Sequence, residues 1–152
     1  MLLLLAGPAG SGKSTAAALL KPRLKAEVYS GKGYLRTAKN MDQAWKKFQG
    51  VLSQAVSGQR NVILILVGTS NLKKIQAAGP FCLVRFTAPQ KTLEERLSDR
   101  LCEDLPPAIV DMLKAQERKW SRVKADLVID SGEKTPEQAV LEIEQMINKS
   151  KG

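Results

Sequence analysis

The chain has 152 residues, a formal charge of +9 and no histidine. That length suits one domain with a sizeable core, and the missing histidine excludes imidazole general-base catalysis and histidine metal ligation. The basic balance points to anionic ligands. No dense basic run with interleaved aromatics appears, so nucleic acid is a less favoured partner than a small anion.

The opening MLLLLA has no basic stretch before it and is short for the apolar core of a signal sequence, and a glycine-rich loop follows at once. It reads as a buried strand, Leu2 to Ala6. Ser14 to Leu24 is Ala- and Leu-rich and reads as a helix. Ala26 to Tyr29 is a short strand candidate, and Ser30 to Tyr34 a loop. Thr37 to Ser57 carries an apolar stripe through Met41, Ala44, Trp45, Phe48, Val51, Leu52, Ala55 and Val56, which predicts a helix stopped by Gly58. Val62 to Val67 is apolar at every position, as in a parallel strand covered on both faces.

Asn71 to Ala77 is a short helix candidate, and Phe81 to Phe86 the next strand. Cys82 lies in that apolar run and reads as a buried thiol. Cys82 and Cys102 fit neither a zinc pattern nor C-x-x-C. Gln90 to Leu101 is a charged helix. Pro106 and Pro107 open another helix, expected to reach about Lys124. Leu127 to Ile129 is a last strand, and Pro136 starts an amphipathic helix to about Asn148. Strand and helix alternate throughout, which predicts a three-layer α/β fold with a five-stranded, mostly parallel sheet. A single domain over 1–148 with a frayed tail at 149–152 is expected, in a soluble cytoplasmic protein, since no run approaches the length of a membrane span.

The most informative segment is residues 7–15, GPAGSGKST. It fits G-x-x-x-x-G-K-S/T, the phosphate-binding loop, with Gly7, Gly12, Lys13 and Ser14 in the fixed places. Glycines let the backbone curl into a nest of N–H donors, here over Gly7, Pro8, Ala9, Gly10, Ser11, Gly12, Lys13, Ser14 and Thr15. The helix that begins there turns the positive end of its dipole toward the same anion. Lys13 can reach the β- and γ-phosphates, and the Ser14 hydroxyl can ligate Mg²⁺. The strand before the loop and the helix after it supply the required context.

With that loop near the start of a short α/β chain, the sequence resembles the small P-loop kinases, the group of nucleoside monophosphate, dephospho-coenzyme A, shikimate and gluconate kinases. The resemblance extends to RFTAPQKTLEERLSDR (Arg85 to Arg100), which is similar to the strand, x-P turn and Arg-bearing helix that enter the lid of these kinases. It extends also to ADLVIDSGEKTPEQAVLEI (Ala125 to Ile143), which is similar to their last strand, adenine-side loop and closing helix. The resemblance implies a P-loop NTPase fold and a phosphotransferase that uses ATP and Mg²⁺. It makes Arg96 and Arg100 lid-side arginines that pair with the transferring phosphoryl group or the adenine, and Arg118 and Arg122 weaker candidates of the same kind. It places Lys32, Tyr34 and Arg36 on the acceptor side, and Thr69 joins them because it sits at a strand's C-terminal end, where polar side chains commonly face the ligand.

Two places depart from the family pattern. An acidic residue usually follows the second strand, where this chain reads Ser30-Gly31-Lys32. Another often ends the third strand, where it reads Val67-Gly68-Thr69-Ser70-Asn71. Glu27 and Asp42 are the nearest carboxylates in sequence. Phosphoryl transfer depends mostly on positioning and electrostatics, and an acceptor that is itself a phosphate requires no strong base. The expectation is therefore ATP-dependent transfer to a small anionic acceptor, foremost a nucleoside monophosphate. A dephospho-coenzyme A-like or other alcohol kinase, a 5′-hydroxyl nucleic-acid kinase, and a nucleotide-binding module with little catalysis are the alternatives.

Overall fold

A computed structural model describes residues 1–30 and 40–151. The elements run β1 (Leu2–Ala6), α1 (Lys13–Leu24), β2 (Glu27–Ser30), α2 (Met41–Val56), β3 (Val62–Leu66), α3 (Leu72–Gln76), β4 (Cys82–Thr87), α4 (Gln90–Leu101), α5 (Pro107–Ser121), β5 (Leu127–Asp130) and α6 (Pro136–Lys151). The strands form one sheet in the order β2-β3-β1-β4-β5. Every pairing is parallel, so the expected mostly parallel sheet is wholly so.

β1 is central because its side chains are apolar on both faces. Leu3 and Leu5 join a core with Ala16, Ala17 and Leu20 of α1 and Val140 and Ile143 of α6. Leu2, Leu4 and Ala6 point the other way, into a core with Phe48 and Leu52 of α2, Ile75 of α3 and Trp120 of α5. These two cores make the three layers. Burying a Leu-sized side chain contributes about 1.5–3 kcal/mol, so a polar residue at any β1 position costs the sheet its centre. A third cluster, Leu93 and Leu97 of α4 with Leu113 of α5, packs under Ala9 of the phosphate loop.

Local chemistry fixes the ends. α2 starts at Met41, where Asn40 is extended and its side chain accepts from the Gln43 N–H at 2.9 Å; Thr37 to Lys39 of the expected helix lie outside the described residues. α6 begins in a reciprocal cap: the Thr135 N–H donates to Gln138 Oε1 and the Gln138 N–H to Thr135 Oγ1, at 2.9 and 3.2 Å. It continues to Lys151, past the Asn148 end that the apolar pattern marks. α5 stops at Ser121, short of Lys124, where the Arg122 and Val123 N–H groups turn back to the Lys119 and Trp120 carbonyls. Cys82 is half-buried rather than buried, since it opens β4 at the sheet's N-terminal edge. Among the described residues no helix is long and apolar enough to cross a membrane.

Candidate nucleotide site

Parallel strands deliver their following loops to one edge of the sheet, and ligands of such sheets bind there. The β1–α1 loop leaves Ala6 along that edge. Gly7 donates its N–H to the Leu66 carbonyl at 3.1 Å. A Cβ on Gly7 would stand 2.2 Å from the Phe86 carbonyl oxygen, so no other residue fits without moving β4. Gly12 has φ 99 and is the N-cap of α1, with no side chain to cap the helix. The first N–H groups of α1 are thereby left for a ligand, which is the arrangement an anion needs.

Lys13 is 5% exposed. Its ammonium donates to the Pro8 carbonyl at 2.7 Å and to Ser11 Oγ at 3.3 Å. Burial, and next the Arg100 charge, lower its pKa from 10.5 to about 8. A buried ammonium repelled by a second cation is an electrostatic vacancy for an anion. Ser14 and Thr15 are exposed on the first turn of α1. The Ser14 hydroxyl is the hard oxygen there that suits Mg²⁺, and among the described residues no cluster of His, Cys, Asp and Glu could hold a metal.

From the loop a cavity of about 410 Å³ runs between α4 and the β5–α6 loop. Gly10, Gly12, Phe86, Arg96, Arg100 and Ser131 are among its walls. The size suits a nucleoside, and the cavity opens directly from Gly10 and Gly12 of the loop. The β5–α6 loop is pinned by Asp130, whose carboxylate accepts from the Gly132 N–H at 2.8 Å, and by the Ser131 N–H bonded to the Thr87 carbonyl at 2.9 Å.

Solved structures share this architecture over the full length. The YorR protein of Bacillus subtilis, in complex with phosphorylated GDP, has a TM-score of 0.73 and 18% identity, covering 97% of this chain and 96% of that one. Shikimate kinase from Acinetobacter baumannii, in complex with shikimate, has 0.66 and 16%, covering 99% and 94%. A gluconokinase from Sinorhizobium meliloti has 0.64 and 14%, covering 97% and 91%. The chain has the fold of the small P-loop kinases. No protein-family model matches the sequence, nor does any curated protein.

Within this P-loop kinase fold the sequence-predicted residues separate by place. Gly7 to Thr15 form the β1–α1 loop and the start of α1, as the motif requires. Arg96 and Arg100 both reach the cavity but differ in use. Arg96 Nη1 donates to the Gly10 carbonyl at 3.0 Å and to Ser131 Oγ at 2.8 Å, and Nη2 to the Ser131 carbonyl at 2.9 Å. Its donors brace two walls, where the sequence reading has it meeting the ligand. Arg100 is exposed, and its side chain makes no hydrogen bond or ion pair among the described residues. Arg118 and Arg122 are exposed on α5 and its end, outside the cavity lining.

On the acceptor side, Thr69 lies half-buried between β3 and α3, its carbonyl accepting from the Leu72 N–H at 3.1 Å. Asn71 holds the N-cap place of α3 without a side-chain bond. Lys32, Tyr34 and Arg36 lie outside the described residues. Glu27 cannot replace a missing carboxylate: it opens β2 at the opposite edge of the sheet and pairs there with Arg60 at 3.6 Å. Asp42 is exposed in the first turn of α2.

Sequence reasoning missed Ser131, Gln116 and Glu117. Gln116 Oε1 accepts from the Ala9 N–H at 3.1 Å. Glu117 pairs with Arg85 and accepts from Thr87 Oγ1 at 2.8 Å. The only signal for Gln116 and Glu117 was polarity on the inward side of an amphipathic helix, where a buried polar group needs a partner; Ser131 lies in the loop between β5 and α6, inside the segment already similar to an adenine-side loop.

Proposed function

We propose that the protein transfers the γ-phosphoryl group of ATP to a small anionic acceptor, with a nucleoside monophosphate as the acceptor the site suits best. The observation that carries this reading is the buried Lys13 at the base of a phosphate-loop nest that opens into the cavity beside Arg100. Lys13 neutralises the β- and γ-oxygens. The N–H groups from Gly10 to Ser14 surround the phosphates, and the nucleoside occupies the space between Arg96, Ser131 and α1. Arg100 meets charge as it spreads over the transferring group. Mg²⁺, held by Ser14 and phosphate oxygens, supplies charge neutralisation when bound.

The acceptor follows from the strand ends. β2 ends at Ser30 and β3 at Leu66, and neither end carries a carboxylate among the described residues. An alcohol acceptor gains from a base that takes its proton. A phosphate oxygen is already ionised and needs none. The likeness of the fold to shikimate kinase and gluconokinase favours the second reading, an alcohol acceptor.

Incubation with γ-labelled ATP and a panel of nucleoside monophosphates, shikimate, gluconate, dephospho-coenzyme A and a 5′-hydroxyl oligonucleotide separates these. Label in a nucleoside diphosphate is expected. Label in a sugar acid or shikimate moves the assignment to the alcohol reading. ATP binding with no labelled product makes the protein a nucleotide-binding module. No ATP binding overturns the whole reading.

A further inference from the structure

The Pro8–Ala9 peptide has both of its polar atoms engaged, on opposite sides. Its N–H, from Ala9, donates to Gln116 Oε1 at 3.1 Å. Its carbonyl, from Pro8, accepts from Lys13 Nζ at 2.7 Å and from the Ser11 N–H at 3.3 Å. The described chain has no cis peptide bond. In a planar trans peptide the N–H and the C=O point in opposite directions, so whatever holds one end aims the other. A backbone N–H can only donate, which also fixes the Gln116 amide with its oxygen toward Ala9.

Gln116 is anchored well enough to act as such a hold. It sits on α5, and the same stretch of helix is tied to the sheet at two further points. Trp120, one turn on and fully buried, donates its Nε1–H to the Val67 carbonyl at 2.7 Å. Glu117 pairs with Arg85 of β4 and accepts from Thr87 Oγ1 at 2.8 Å. α5 is thus fastened to the ends of β3 and β4, and Gln116 carries that fixed position to the phosphate loop.

We propose that Gln116 is a positioning residue for Lys13: by holding the Ala9 N–H toward α5, it keeps the Pro8 carbonyl aimed at the Lys13 ammonium. Turning this peptide over would present an N–H to the ammonium in place of an acceptor. Lys13 would then lose its strongest partner and leave the place from which it meets the phosphates. Gln116 itself touches neither Lys13 nor a ligand; it acts through one peptide plane. The inference rests on the reading of residues 7–15 as a phosphate site and goes beyond it.

The test is calorimetric titration of ATP into the intact wild-type protein and into Gln116→Met, Gln116→Glu, Lys13→Ala and the Lys13→Ala/Gln116→Met double variant. Met keeps the side-chain length without an acceptor; Glu keeps an oxygen for the Ala9 N–H. Gln116→Met is expected to weaken ATP binding roughly tenfold, Gln116→Glu to stay within about threefold of wild type, and the Met effect to vanish once Lys13 is gone, because the two act as one unit. Equal loss from Gln116→Met with and without Lys13, or no loss at all, overturns the proposal. A Lys13→Ala variant that binds ATP like wild type overturns the phosphate-loop reading instead, and this proposal with it. Amide exchange at Ala9 in the ligand-free protein is the second measurement: Gln116→Met, or Gln116→Ala should Met not fold, must exchange faster than wild type and Gln116→Glu must not. Unchanged Ala9 exchange also overturns the proposal.

Discussion

Arg96 grips Ser131 twice with one guanidinium, through Nη1 to Oγ at 2.8 Å and Nη2 to the carbonyl at 2.9 Å. The same Nη1 reaches the Gly10 carbonyl at 3.0 Å. One planar fork therefore joins the phosphate loop to the loop between β5 and α6, across the mouth of the cavity. A lysine has the charge but not the two-nitrogen plane. Arg96→Lys is expected to weaken ATP binding more than pyrophosphate binding, because two of its three contacts hold Ser131 on the nucleoside wall. Arg96→Ala is expected to lower stability by about 2 kcal/mol as well, since charge-assisted hydrogen bonds are lost. Calorimetric titration with both ligands and urea denaturation check these outcomes; equal losses for ATP and pyrophosphate would contradict the assignment to the nucleoside wall.

Arg100 has no protein partner among the described residues, and its charge reaches Lys13. A guanidinium with no partner among the described residues, beside the phosphate loop, suits charge that develops during transfer. Arg100→Lys is expected to lower the single-turnover rate roughly tenfold or more with a smaller change in ATP affinity. Single-turnover kinetics is the right measurement, because lid opening can limit steady-state turnover. A wild-type rate in the variant assigns Arg100 to the surface.

ATP affinity should depend on pH through Lys13. Its pKa is lowered to about 8 by burial first and by Arg100 second. A bound triphosphate favours the ammonium and raises that pKa. Below pH 8 Lys13 is charged with or without ligand, and binding takes up no proton there. Above pH 8 binding must take up a proton, so affinity falls as pH rises, by at most about tenfold per unit. Titrations in buffers of different ionisation enthalpy read the proton directly, and Lys13→Ala must abolish the effect. The same shift acts on folding. Between about 8 and 10.5 the unfolded chain holds the Lys13 proton that the folded chain has lost, so this group's destabilisation is full below 8 and is relieved as pH rises through that window.

Ser14 stands exposed on the first turn of α1, and among the described residues no cluster of carboxylates could hold a cation. Ser14→Ala is expected to impair binding of Mg·ATP several-fold and to leave metal-free ATP nearly unchanged. Paired titrations with magnesium and with a chelator decide it, and an equal loss in both would remove Ser14 from the metal's contacts.

Most of the fold was legible in the chain because its signals are local. Leu2 to Ala6 and Val62 to Leu66 are apolar at every position and are strands covered on both faces, while Val67, the last residue of the second run, lies beyond β3 and is exposed. Gly7, Gly12 and Lys13 announce the phosphate loop because a nest of N–H donors needs glycine backbone at fixed spacing. Helix ends were less legible. Asn40 turns extended and caps α2 at Met41, which an apolar stripe does not record.

What the tertiary structure alone decided is which polar side chains face the loop and what they do there. Arg96 and Arg100 are four apart and look alike in sequence, yet Arg96 meets Gly10 and Ser131 while the Arg100 side chain has no partner among the described residues. Gln116 is one polar residue on an amphipathic helix until α5 packs on the sheet and brings it to Ala9, 107 positions earlier in the chain. Glu27 is near the second strand's end in sequence but lies at the far edge of the sheet, because β2 runs parallel to β1. The physical reason is common to all three. Backbone conformation and burial are written in runs of neighbouring residues. A hydrogen bond between distant residues depends on how the layers stack, and no local pattern encodes that.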